Sequence, residues 1–187
     1  IISKKKKNLV AYHEAGHAIV AALTPNFDIV TQITISPRGN AGGLTLFTPN
    51  EDILDSGLYN RNYLKSMISV ALSGRIAEEI IFGKEEITTS ASNDLERVTL
   101  IARQMITEFG MSDILGNVYI NKDEYISLNT RSIIDKEVTL LVNSCYLYAK
   151  NVLLNNMDLL HSLAKLLVQN ETVTQKELLY LIKKYDN

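Results

Sequence analysis

Leu9-Val10-Ala11-Tyr12-His13-Glu14-Ala15-Gly16-His17-Ala18-Ile19-Val20-Ala21-Ala22-Leu23 contains no helix breaker stronger than Gly16, and at its centre stands an H-E-x-x-H. On a helix, residues four apart lie one turn above each other, so His13 and His17 project from one face and can grip one metal ion. Glu14 sits on the adjoining face, where its carboxylate reaches a water polarised by that metal and can take its proton. Paired structural histidines are the plainer explanation of such a pattern. The flanking residues oppose it: they are apolar nearly all round, which marks a core helix. Buried histidines and a buried glutamate need partners, because an unpaired buried charge is costly. Gly16 costs about 1 kcal/mol relative to alanine inside a helix, which predicts a close neighbour against the backbone there.

The 187 residues have room for one well-buried domain, taken as residues 1–187, with at most a small second subdomain. A net charge of −2 gives no electrostatic footprint for nucleic acid, and none is expected as a partner. The basic run Lys4-Lys5-Lys6-Lys7 reads as a solvated helix start or linker. Cys145 is the sole cysteine, which excludes an intramolecular disulfide and a paired-thiolate zinc site; it reads as a small buried hydrophobe. No apolar run is long enough to span a bilayer, and the chain, which starts at Ile1, reads as a soluble fragment of something longer.

Downstream, Pro25-Asn26 marks a stop and Ile29 to Ile35 alternates like a strand. Ser36-Pro37-Arg38-Gly39-Asn40 predicts a turn and Gly43-Leu44-Thr45-Leu46-Phe47 a second strand, giving a small hairpin beside the metal helix. Such a strand, at Gly43, Leu44, Thr45 and Leu46, could take an extended substrate peptide by edge addition, or it could simply cover the helix. The pattern then predicts helices over Tyr59–Phe82, ended by Gly83, and Leu95–Phe109, stopped at Gly110. Residues 110–131 read as irregular with a weak strand at Asn117–Ile120. Helices are expected over Ser132–Leu154, Met157–Gln169 and Thr174–Tyr185, the last opened by a Thr174-x-x-Glu177 capping box. The fold class is mainly α with a small β element.

A catalytic zinc takes three protein ligands and keeps an open position. A third histidine six residues after His17 is excluded because Leu23 stands there. His161 lies on a late helix and reads as a surface or partly packed histidine. Glu78 and Glu79 lie on a central helix, where a glutamate could serve as ligand or as ordinary helix surface. Asp94 opens a helix, where aspartate commonly caps. Composition does not rank Asp94 above Glu78.

Four ordered motifs add a resemblance: His13-Glu14-Ala15-Gly16-His17-Ala18; Thr34-Ile35-Ser36-Pro37-Arg38-Gly39; Ser73-Gly74-Arg75-Ile76-Ala77-Glu78-Glu79-Ile80-Ile81-Phe82-Gly83; and Thr89-Ser90-Ala91-Ser92-Asn93-Asp94. Together with Asn155 to Leu160 and Glu171 to Thr174, they resemble the peptidase domain of FtsH-type AAA+ metalloproteases over nearly the whole chain. The resemblance implies one zinc ion per chain held by His13, His17 and Asp94, with Glu14 as general base and Glu78 in a supporting role, orienting a ligand or packing the helix. It implies polypeptide substrates, among them misfolded or unneeded proteins, and a ring, a homo-hexamer or one built with paralogues. It also implies N-terminal membrane anchors, in a bacterial plasma membrane or a mitochondrial or plastid inner membrane system. The same resemblance places ATP on an ATPase domain, and no G-x-x-x-x-G-K-[ST] loop occurs in this chain. One segment departs from the family pattern: residues 123–132 are shorter, lacking a stretch with Leu-Gly-Arg. A non-catalytic ring-assembly domain with a structural zinc, and a free-standing peptidase acting without an ATPase, are the competing readings. A structural site would be closed by a fourth protein ligand and would need no base beside it.

Overall fold

The computed structural model describes residues 3–35 and 42–186; the turn expected over Ser36–Asn40 lies outside them. The chain runs α1 (Lys4–Leu23), β1 (Ile29–Thr34), β2 (Leu44–Thr48), α2 (Glu51–Ser56), α3 (Arg61–Phe82), α4 (Ser92–Thr107), α5 (Leu128–Leu154), α6 (Met157–Asn170), β3 (Thr172–Thr174) and α7 (Gln175–Tyr185). Two 3-10 turns, Lys84–Glu86 and Thr89–Ala91, fill the connection between α3 and α4. The fold is mainly helical with one small antiparallel sheet of order β2-β1-β3.

Helix α1 is the spine. Ser3 caps it by accepting a hydrogen bond from Lys6 N at 3.1 Å, so Lys4–Lys7 form its first turn rather than a linker. From Ala11 to Ala21 every residue but Tyr12 is buried, as an all-round apolar helix requires. The helix packs against α3, α6, β1 and β2. Gly16 marks the crossing with α3: a Cβ there would stand 2.5 Å from the Ser73 carbonyl oxygen and 2.8 Å from Ala77 Cβ. The close neighbour that the glycine predicts is therefore the backbone of α3.

Capping chemistry sets the other helix ends. Asn60 caps α3 by accepting from Tyr63 N at 2.8 Å, and Gly83, at φ 93°, closes its C-terminus. The capping box of α7 is present, with Thr174 and Glu177 bonding reciprocally. One expectation needs correction, and two elements were not foreseen. Helix α2, over a stretch on which the sequence analysis is silent, is a single short element between the Asn50 cap and Gly57. Residues Asn117–Ile120 form no strand: Ile120 N donates to Thr107 O at 2.8 Å, while Val118 and Tyr119 are exposed. Strand β3, also unforeseen, pairs Gln32, Ile33 and Thr34 of β1 with Thr174, Val173 and Thr172. Residues 110–127 carry no helix or strand, and α5 starts at Leu128, four residues earlier than the pattern implied. No helix among the described residues is long and apolar enough to cross a membrane.

Candidate metal centre

One turn of α1 brings the two imidazoles together. His13 Nε2 and His17 Nε2 are 3.1 Å apart, with the rings edge-on at a centroid distance of 4.8 Å. Both side chains are buried, at 6% and 8% exposure, and each is held from behind. The His17 Nδ1–H donates to Val70 O at 2.7 Å, and the His13 Nδ1–H to Glu78 Oε2 at 2.6 Å. A carbonyl oxygen can only accept, so the proton of a neutral His17 sits on Nδ1 and its Nε2 presents a lone pair; the Glu78 carboxylate fixes His13 in the same sense. Both lone pairs therefore face the same space.

Asp94 completes a triangle. Its Oδ2 lies 3.2 Å from His17 Nε2 and 3.4 Å from His13 Nε2. The capping role open to it in the sequence is not taken, since α4 follows Ala91 with no side-chain cap and Asp94 stands in its first turn. Three ligands of a tetrahedral ion with bonds of about 2.0–2.1 Å are about 3.3–3.4 Å apart, close to the edges of this triangle. Three electron-rich atoms at such distances repel unless a cation lies among them. Protons can serve: burial disfavours the charged form of His13, yet Asp94, Glu78 and the charge of Glu14 outweigh it and raise His13 from 6.5 to about 9. Burial would likewise raise Asp94, but the two imidazoles hold it well below the usual carboxylate range. The donor set fits a zinc ion.

Glu78 is fully buried, at 0% exposure, and its carboxylate serves two purposes. Besides holding His13, its Oε1 accepts from Thr88 N at 3.0 Å and Thr88 Oγ1 at 2.7 Å, and its Oε2 from Ser90 Oγ at 2.8 Å. Burial pushes this carboxyl up, and the bonds from His13, Thr88 and Ser90 prevail and lower it. Residues 88–90 lead straight into α4, so Glu78 ties the connection that delivers Asp94 to the helix that carries the histidines. The neighbouring Glu79 faces away, accepting from Tyr146 Oη at 2.7 and 2.9 Å.

Glu14, 8% exposed, lies beside the triangle; ligand atoms of His13, Glu14 and His17 all fall within 4.8 Å of one another. Strand β2 passes over it, with Thr45 Oγ1 donating to Glu14 Oε1 at 2.8 Å. The strand is an outer one, with Leu44 and Leu46 exposed and only β1 paired to it among the described residues. His161 is remote from this chemistry, being an exposed residue of α6 whose Nδ1 lies 2.6 Å from Tyr12 Oη.

Gly74 escaped the sequence reading. A Cβ on it would lie 2.5 Å from His13 Nε2 and 2.6 Å from His17 Nε2, so α3 forms the floor of the site through a residue without a side chain. A glycine in the middle of a long apolar helix, at a cost of about 1 kcal/mol, was the available signal.

A helical domain built around a buried histidine pair, with a carboxylate to complete the set and a glutamate alongside, has the makings of a metallopeptidase domain, and the chain belongs to peptidase family M41, whose model matches residues 1–181. It is 53% identical to ATP-dependent zinc metalloprotease FtsH 3 of Synechocystis sp. and 46% identical to ATP-dependent zinc metalloprotease FTSH 5, chloroplastic, of Arabidopsis thaliana, in each case over 97% of the chain. The FtsH zinc metalloprotease of Synechococcus sp. is 46% identical over the same share. The chain spans 32%, 28% and 30% of these proteins, about a third of their length. The Synechocystis alignment runs over 195 positions, so that relative has residues with no counterpart in this chain.

Proposed function

We propose that residues 1–187 are the zinc endopeptidase domain of an ATP-dependent protease, with His13, His17 and Asp94 as metal ligands and Glu14 as general base. The triangle of His13 Nε2, His17 Nε2 and Asp94 Oδ2, with edges of 3.1, 3.2 and 3.4 Å, carries this reading. A bound zinc ion supplies Lewis acidity, acidifying a water and polarising a peptide carbonyl. Glu14 takes the proton from the attacking water on its carboxylate and hands it to the departing amine, a transfer typically worth about 10²- to 10⁴-fold. Glu78 and the Val70 carbonyl hold the imidazoles with Nε2 turned to the metal, and such supporting partners typically govern about 10- to 100-fold in affinity or activity. An extended polypeptide lies along the outer edge of β2, over Gly43, Leu44, Thr45 and Leu46, bonded through its backbone and hence with little regard to its side chains.

The names of the relatives support an ATPase partner domain outside these residues. Resemblance to FtsH-type proteases supports a six-membered ring, of identical chains or of paralogues, anchored to a membrane by segments outside this chain. Relatives from cyanobacteria and chloroplasts favour a bacterial or plastid setting. The test is metal analysis and proteolysis of Glu14→Gln. Full zinc content with proteolysis reduced by at least about 10²-fold is expected; a variant that keeps its activity removes Glu14 from the base role.

A further inference from the structure

The base is gripped from one side by the strand proposed to receive substrate. Gly43, just before β2, lies so near that a Cβ would stand 2.7 Å from Glu14 Cγ, 3.2 Å from its Cδ and 2.8 Å from Val10 Cγ1. Two residues on, which in a strand returns to the same face, Thr45 donates its hydroxyl to Glu14 Oε1 at 2.8 Å. Leu44 and Leu46, on the alternate positions, are exposed. Thr45 is itself fixed from behind: it pairs with Ile33, a fully buried residue near the end of β1, the central strand of the sheet. A glutamate side chain is long and rotamer-rich, and an unanchored carboxylate presents its two oxygens in many orientations. Here the backbone at Gly43 bounds the side chain's path, and one hydroxyl pins one oxygen.

We propose that Thr45 is a positioning residue for Glu14. By donating to Oε1 it fixes the plane of the carboxylate and leaves Oε2 as the atom that receives the proton of the attacking water. Because Thr45 belongs to the strand that borders the proposed peptide path, the register of the substrate and the aim of the base are set by one element. This rests on the function proposed above, and the test separates the two.

Thr45→Val keeps the shape and removes the donor; Thr45→Ser keeps the donor and removes the methyl. Each is made in the full-length protein, alongside Glu14→Gln, and assayed with ATP on a short unstructured fluorogenic peptide, together with zinc content and thermal melting. Thr45→Val is expected to lower kcat by about 10- to 100-fold, as for the loss of a hydrogen bond to a charged group, with KM, zinc content and melting unchanged. Thr45→Ser is expected to restore most of kcat. The proposal is overturned by wild-type kcat in Thr45→Val, by a rise in KM with kcat intact, or by Thr45→Ser failing as badly as Thr45→Val. If Glu14→Gln is inactive while Thr45→Val is fully active, only the role of Thr45 falls. Activity in Glu14→Gln overturns the catalytic assignment itself.

Discussion

Gly74→Ala tests the floor of the site with a single methyl group. The new Cβ would lie 2.5 Å from His13 Nε2, 2.6 Å from His17 Nε2 and 2.7 Å from His13 Cδ2. Ordinary contact between such atoms is about 3.5 Å, so each ring nitrogen has to retreat by roughly 1 Å. Neither ring can retreat cheaply, because Glu78 holds His13 at 2.6 Å and the Val70 carbonyl holds His17 at 2.7 Å. Zinc bonds tolerate about 0.2 Å. The expected outcome is a fall in zinc affinity beyond the about 10- to 100-fold that follows loss of a supporting partner. The fold should survive, because the clash costs about 1–3 kcal/mol and the gain in helix propensity returns about 1 kcal/mol of it. Metal content after dialysis against a calibrated zinc buffer, with circular dichroism as the control for folding, measures both. A folded Gly74→Ala chain holding one zinc at wild-type affinity would refute the geometry from which the site is built.

Asp94→Asn is expected to lower zinc affinity and proteolysis together, whereas Glu78→Gln should act more mildly, by about 10- to 100-fold, through the aim of His13; competition with a chromogenic chelator ranks the two. Zinc uptake should depend on pH with a definite sign. Without metal, His13 titrates at about 9, so at neutral pH zinc must displace its proton, and apparent affinity should climb with pH and level off above that value. Calorimetry in buffers of differing ionisation enthalpy reads the released proton directly, and an affinity independent of pH over the roughly two units immediately below that value would contradict it. In the metal-free chain the same raised value contributes stability that is complete below the unfolded value of 6.5 and is lost as pH rises through about 9, which thermal melts across that window should register.

Periodicity made α1 legible, since the 3.6-residue repeat alone puts His13 and His17 on one face, and the cost of Gly16 announced a close neighbour at the backbone, which the structure identifies as α3. The proposed third ligand was not legible in the same way. Asp94 reaches the imidazoles because Glu78 binds Thr88 and Ser90 and so folds the α3–α4 connection back onto the histidine face, a tertiary arrangement that no local pattern encodes. Only the resemblance to a family distinguished Asp94 from Glu78. Strand β3 is three residues long and exists because β1 offers an edge, so it has no period of its own to read. The Asn117–Ile120 segment errs in the opposite direction: it has no partner strand among the described residues, and Val118 and Tyr119 stay exposed. Short α2 carries local signals, Asn50 before two acidic residues and Gly57 after, but six residues without an apolar stripe leave no periodicity to read.

The assignment of the metal ligands is tested most directly by a crystal structure of the zinc-loaded chain with anomalous scattering recorded at the zinc edge. The account predicts one ion bonded to His13 Nε2, His17 Nε2 and a carboxylate oxygen of Asp94 at about 2.0–2.2 Å, with an open position facing Glu14. A Glu78 oxygen bonded to zinc with Asp94 remote, or a fourth protein ligand closing the site, would contradict it.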